Sequence, residues 1–230
     1  MDVPKLHDWD VTTQQARELQ EELRGKVELC ALPSDIRLIA GADLAFSRER
    51  DLVFAAVVVL RLPELKPVEQ VGLHMPCPFP YVPGLLTFRE GPAVVEAFRR
   101  IEHRPDAVIF DGHGYAHPRR VGLAGHMGLW LGIPTVGCAK SRLVGEHEMP
   151  DTEKGERTPL MDDGEQIGVV LRSRTDVKPV FVSPGHMADF QTSTELVLRC
   201  CPRYRLPEPT RQAHHAVAEV KRAHLANRGD

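Results

Sequence analysis

Two apolar runs, residues 37–46 (RLIAGADLAF) and 52–62 (LVFAAVVVLRL), are separated only by the short polar stretch 47–51. Apolar runs of this length bounded by polar residues read as strands, and two around a short charged turn predict a β-hairpin. A third apolar-leaning run, about 68–75, predicts another strand. The segment 76–83 then holds four prolines in eight residues, which rules out regular structure there.

Beyond the prolines the period changes. In 89–102, Val94, Val95, Phe98 and Ile101 share one helical face, and Pro105 ends the pattern. Residues 107–110 (AVIF) predict a short buried strand. A glycine-rich loop, a helix over 121–131 and a strand over 135–138 follow. The charged, glycine-containing segment 145–165 predicts a surface loop. Strands are expected at 168–172 and 180–183, and helices at 189–200 and 208–227. The first 30 residues read as helical, with Thr12 or Thr13 as cap and Leu19, Leu23 and Val27 at four-residue spacing. A meander followed by alternating helix and strand predicts an α/β fold, a central mixed β-sheet flanked by α-helices. The ribonuclease H-like fold is one such architecture. A chain of 230 residues needs no more than one domain, taken as 1–230.

Composition narrows the function classes. No stretch reaches the roughly 20 apolar residues of a membrane helix, and the N-terminus lacks the apolar core of an export signal. The five cysteines are scattered without a C-x-x-C pair, which argues against a disulfide framework or a cysteine zinc site and predicts a cytoplasmic setting. The net charge of -3 predicts no bulk attraction to nucleic acid. A local basic groove around an acidic site stays compatible with it.

Three carboxylates stand out. Asp43 interrupts an apolar strand, where an unpaired carboxylate costs several kcal/mol (~2–7 even for a neutral polar group). Asp111 ends the run AVIF and opens a glycine loop, at the carboxyl end of a strand where α/β sheets carry function. Glu90 is expected to open the helix after the proline segment. Taken singly, each has an ordinary explanation: a solvent-facing strand residue, a turn aspartate, a favourable helix N-terminal charge. Together they form an oxygen-ligand set that suits Mg²⁺ or Mn²⁺.

The stretches PFPYVPGLLTFRE (78–90), DGHGYAHPRRVGLAGHMG (111–128) and PTVGCAK (134–140) are the most distinctive. With Gly41 and Asp43 of the first strand, they resemble the motifs of the endonuclease V family over about residues 10–220. The resemblance implies a ribonuclease H-like fold and a metal-dependent nuclease acting on deaminated, inosine-type bases. It implies Mg²⁺ as cofactor, with Mn²⁺ able to substitute, held by Asp43, Glu90 and Asp111. Lys140 matches a lysine near the scissile phosphate. His214 falls where many relatives have aspartate and some histidine, which leaves open direct or water-mediated contact with a second metal. Pro80, Tyr81 and Pro83 match a wedge that enters the base stack. Gly84, Leu86, Gly112 and Gly122 are implied to lie near a flipped base, with His117 and Arg119 on the substrate side. Arg119, Arg120 and Arg142 are candidate phosphate contacts.

The expected partner is DNA containing deoxyinosine, with inosine RNA as the alternative substrate, bound by a monomer. Two other readings compete. His113 and His117 would suit a zinc hydrolase, although Gly114 and Pro118 oppose a helix carrying both. A module that binds inosine without cutting would be expected to have lost a carboxylate.

Overall fold

A computed structural model describes residues 1–47 and 52–226. The predicted turn beyond Ser47, and residue 227 of the last predicted helix, lie outside these. One mixed sheet of eight strands organises the chain, in the order β3-β2-β1-β4-β5-β8-β7-β6. The meander comprises β1 (Leu38–Ser47), β2 (Leu52–Arg61) and β3 (Lys66–Pro76), paired antiparallel. Next to β1, β4 (Ala107–Phe110) and β5 (Thr135–Ala139) run parallel. An antiparallel extension adds β8 (Val180–Pro184), β7 (Glu165–Leu171) and β6 (Arg157–Asp162). Three antiparallel strands joined edgewise to a central parallel set form the ribonuclease H-like arrangement.

β2 shows why its sequence is continuously apolar. Val53, Ala55, Val57 and Val59 face one helical layer, and Phe54, Ala56, Val58 and Leu60 face the other. A strand buried on both faces loses the polar alternation of a half-exposed one. The first layer contains α2 (Leu86–Arg100) and α3 (Leu123–Leu131). The second contains α4 (Phe190–Arg199) and α5 (Glu208–Ala226), with α5 lying across β1, β2 and β3. Among the described residues no helix is long and apolar enough to cross a membrane.

Two local expectations are corrected. The N-terminal helix is only α1 (Thr13–Arg24), closed at its start by a Thr12–Gln15 capping box and ended by Gly25. Val27 lies past its end. The preceding residues are held by rings instead: Trp9 stacks on Trp130 at 4.9 Å, and His7 Nε2 lies 2.6 Å from His126 Nε2. The supposed loop 145–165 contains β6, which pairs with β7 through Asp163 and Gly164, both at positive φ. That two-residue connection is a tight hairpin turn. As an edge strand β6 buries only Leu160, so its sequence carries little apolar signal.

Burial also fixes protons. Trp130 Nε1 donates to His7 Nε2 at 3.2 Å, so that nitrogen is an acceptor and His126 Nε2 donates to it. His126 Nδ1 is then an unprotonated, buried nitrogen without a partner. Burial holds the His126 pKa well below its ordinary value, and burial, then the neighbouring Arg119 charge, lowers His117 to about 4. Both are neutral when folded, whereas the unfolded chain protonates them below about pH 6.5. Stability from this source is therefore complete above pH 6.5 and falls as pH drops toward 4, by about 1.4 kcal/mol per pH unit for each histidine. Urea unfolding at pH 6.5, 5.5 and 4.5, with wild type set against His126→Gln at each pH, should show this decline. His126→Gln should flatten the slope by about one proton.

Candidate active site

The parallel register pairs Ala42 of β1 with Phe110 of β4. The next residue on each strand is a carboxylate, Asp43 and Asp111. Side chains alternate along a strand. Ala42 and Phe110 face the α2/α3 layer, so Asp43 and Asp111 turn to the α5 side. There α5 comes very close: a β-carbon on Gly41 would sit 2.2 Å from the Pro209 carbonyl carbon, so only glycine admits the helix. This approach delivers His214, whose Nδ1 donates to Asp43 Oδ2 at 2.7 Å. Lys140, immediately after β5, donates to Asp111.

Glu90 enters from the opposite layer. It sits in the second turn of α2, so it is no helix-opening charge as expected; the helix begins at Leu86. Burial, then the Asp43 and Asp111 charges, push its carboxyl up to about 8. Burial likewise raises Asp43, opposed by its His214 hydrogen bond. Arg89, the one nearby cation pulling Glu90 down, is itself committed: Nη1 donates to Phe79 O at 2.6 Å and the guanidinium covers the Phe46 ring at 4.6 Å.

A pocket of about 180 Å³ adjoins this cluster. That is smaller than the ~300–1,000 Å³ of a site for a drug-sized ligand, and its lining is mostly apolar. Tyr81, Pro83, Gly84 and Leu86 form one wall, and Gly112, His113, His117 and Gly122 another, with Leu123 and Leu143 alongside. Tyr81 is 71% exposed. The turn beneath it is closed by Leu85 N–H donating to Val82 O at 2.9 Å, with Gly84 at φ 78°. Proline second and glycine third are the residues a type II turn demands. Pro80 lies outside the pocket, in a neighbouring groove with Trp9 and Phe79.

The arginine candidates divide. Arg120 is buried between Asp162 (2.8 Å) and Glu165 (2.9 Å), which removes it from the phosphate contacts. Arg119 Nε donates to Gln20 Oε1 at 2.8 Å and its Nη2 to Gly84 O at 2.9 Å, so it serves the pocket wall. Arg142 is exposed and donates to Gly145 O at 2.7 Å. The zinc reading fails at His117: Nδ1 accepts from Arg119 N–H at 3.2 Å and Nε2 donates to Gly84 O at 3.1 Å, leaving no nitrogen for a metal.

Sequence reasoning missed Gln20, Thr87, Leu123 and Leu143, and treated His113 only as a metal ligand. Gln20 had a signal, a polar residue in the buried stripe of Ala16 and Leu23. Among the described residues no three His, Cys, Asp or Glu side chains already stand in metal-coordinating geometry. The donor set nevertheless fits a hard divalent cation. Its oxygens are all carboxylate, and burial, then the Asp43 and Asp111 charges, disfavour the ionised Glu90, a penalty a bound cation would offset.

Acidic groups at the ends of adjoining central strands, beside a lysine and an apolar pocket, form a set of the kind a metal-dependent nuclease on a ribonuclease H-like scaffold needs. Comparison narrows this class. The family model described as Endonuclease V matches residues 21–215. An endonuclease V from Myxococcus xanthus is 48% identical over 221 residues, covering 96% of this chain and 94% of the relative. The chain belongs to the endonuclease V family. The crystal structure of Endonuclease V from Bacillus subtilis superposes with a TM-score of 0.93 at 32% identity, covering 99% of this chain and all of that one (100%). Endonuclease V from Ciona intestinalis, solved with DNA containing an inosine followed by a ribo-adenosine, matches with a TM-score of 0.80 at 26% identity, covering 92% and 99%.

The raised Glu90 pKa has a testable cost. Unfolded, Glu90 ionises near 4.5; folded, it holds its proton to about 8. Between those values only the unfolded form gains from ionising, so the metal-free fold loses stability as pH rises from 4.5 to 8. Glu90→Gln should therefore raise the melting temperature in EDTA, by more at pH 8 than at pH 5, with a gain of about 1–3 kcal/mol at pH 8. Calorimetry at the two pH values checks it.

Proposed function

We propose that the chain is a Mg²⁺-dependent endonuclease that recognises hypoxanthine in DNA and hydrolyses the second phosphodiester on the 3′ side of the lesion. The products carry a 3′-hydroxyl and a 5′-phosphate. Contiguity carries the reading: Asp111 is followed at once by Gly112 and His113, which line the pocket. Base recognition and bond cleavage then share one stretch of backbone. The Ciona relative, solved on inosine-containing DNA, supports the choice of substrate.

Tyr81, held out on a stiff turn, enters the base stack as other wedge side chains do. The flipped base enters the pocket. Hypoxanthine carries a carbonyl where adenine has an amine, and its N1 bears hydrogen. Backbone groups of Gly84, Leu86, Gly112 and Gly122 matched to that edge are left unpaired or opposed by adenine, a strong basis for selection. Lys140 offsets charge on the phosphate oxygens, and Arg142 meets the neighbouring backbone. His214 fixes the orientation of Asp43.

Asp43, Asp111 and Glu90 would hold a divalent cation, Mg²⁺ with Mn²⁺ as substitute, which supplies charge neutralisation at the phosphate and a more acidic water. In the hydrolysis a water oxygen bonds to phosphorus, the bond from phosphorus to the 3′ oxygen breaks, and that oxygen leaves protonated. We take the chain to work as a single domain, residues 1–230, and as a monomer. Its five cysteines are free, which suits a reducing cytoplasm.

The test uses a labelled duplex with one deoxyinosine beside its adenine counterpart. A single nick dependent on Mg²⁺, suppressed by EDTA and slower by orders of magnitude on the adenine duplex is the expected outcome. Cleavage of inosine RNA alone would redirect the substrate; binding without any cleavage would leave a recognition module. Asp43→Ala should slow nicking about a thousandfold, the equivalent of ~4 kcal/mol, and leave lesion binding largely intact in a gel-shift assay. Tyr81→Ala should weaken binding about 10- to 100-fold, the usual worth of one base–aromatic stack (~1–3 kcal/mol), with a smaller effect on the rate at saturation.

A further inference from the structure

Gln20 lies on the inner face of α1 and is 1% exposed, yet it lines neither the pocket nor the carboxylate cluster. A buried amide needs partners, and this one makes three hydrogen bonds, both of its donated ones to the two walls of the pocket. Its Nε2 donates to Gly84 O at 3.1 Å and to Val121 O at 3.3 Å, and its Oε1 accepts from Arg119 Nε at 2.8 Å. Gly84 belongs to the turn beneath Tyr81. Val121 adjoins Gly122 in the glycine loop.

The Gly84 carbonyl is the centre of the arrangement. It accepts from Gln20, from His117 Nε2 and from Arg119 Nη2, three donors on one oxygen. The proton on His117 Nε2 is fixed because Nδ1 already accepts from the Arg119 backbone. A carbonyl held from three directions cannot rotate, and the turn that carries the wedge is fixed against the loop. Gln20 is the member of this set whose side chain reaches both walls from a third element.

We propose that Gln20 is a positioning residue that sets the spacing between the wedge turn and the glycine loop, and thereby the preference of the pocket for hypoxanthine over adenine. The proposal rests on the base-recognition reading above. Selection by backbone hydrogen bonds depends on placement within about 0.5 Å, and a misplacement of about 1 Å costs on the order of a hundredfold. A residue that only fills the core would be replaceable by an apolar one of the same length.

The experiment compares the full-length wild type, Gln20→Met and Gln20→Glu on deoxyinosine and adenine duplexes, with melting temperatures measured in parallel. The wild type tests the base-recognition reading by itself: without an inosine-specific nick that reading fails, and this proposal with it. Given that nick, Gln20→Met keeps the length but loses all three hydrogen bonds. It should raise KM about tenfold or more and shrink the inosine-to-adenine ratio of kcat/KM by about 10- to 100-fold, while kcat on inosine stays within a few fold. Gln20→Glu keeps the length and the bond from Arg119 but turns an acceptor onto the Gly84 and Val121 carbonyl oxygens, and should shrink the ratio as Gln20→Met does. An unchanged ratio in a folded Gln20→Met protein, or an equal loss on both duplexes, overturns the proposal. If Gln20→Met melts below the assay temperature, Gln20→Glu decides: a shrunken ratio in the folded protein supports the proposal, and an unchanged ratio overturns it.

Discussion

The parallel pairing of β1 with β4 sets Asp43 beside Asp111, and the rest of the site is arranged around that adjacency. Burial first, and the Asp111 charge after it, disfavour the ionised Asp43. The chain meets this cost with structure. Strands buried on both faces leave the register no alternative, because a slip of one residue would turn Asp43 into the α2/α3 core and Ala42 out of it. Asp43 is then bonded to His214 and Asp111 to Lys140. Each basic partner comes from an element packed against the same strands. Among the described residues none gives Glu90 such a bond, and burial, then the Asp43 and Asp111 charges, raises its pKa.

The glycine loop carries this constraint outward. It leaves β4 at Asp111, lines the pocket with Gly112 and His113, returns past His117 and reaches Gly122 at the start of α3. Its far end is tied to the turn beneath Tyr81 through Gly84 and to α1 through Gln20. The distance from pocket to carboxylates is therefore a property of the backbone. A nuclease that cuts at a set distance from the base it inspects requires such a connection.

Much of this was legible in the sequence because its causes are local. The double-sided burial of β2 appears as an unbroken apolar run, the apolar face Val94, Val95 and Phe98 lies within α2, and AVIF coincides with β4. The motif stretches marked the loops that form the pocket walls. What was not legible depends on distant partners. β6 is an edge strand with one buried residue, though its Asp163-Gly164 turn was a readable hairpin signal. The start of α2 was misplaced because Leu86 and Thr87 continue the proline segment without a polar cap. Arg120 reads as a surface arginine until β6 and β7 supply Asp162 and Glu165. Gln20 was missed: its one sequence signal is a polar residue on an apolar stripe, and its partners lie 64, 99 and 101 positions away.

The central claim is that one rigid stretch of backbone fixes the interval between the inspected base and the bond that is cut. Mapping the nick to single-nucleotide resolution on a series of duplexes, with the deoxyinosine moved one position at a time through the same sequence, tests it most directly. The account predicts that the cut moves in step with the lesion and always falls at the second phosphodiester on its 3′ side. A cut that stays with the surrounding sequence, or spreads over several bonds as the lesion moves, would contradict it.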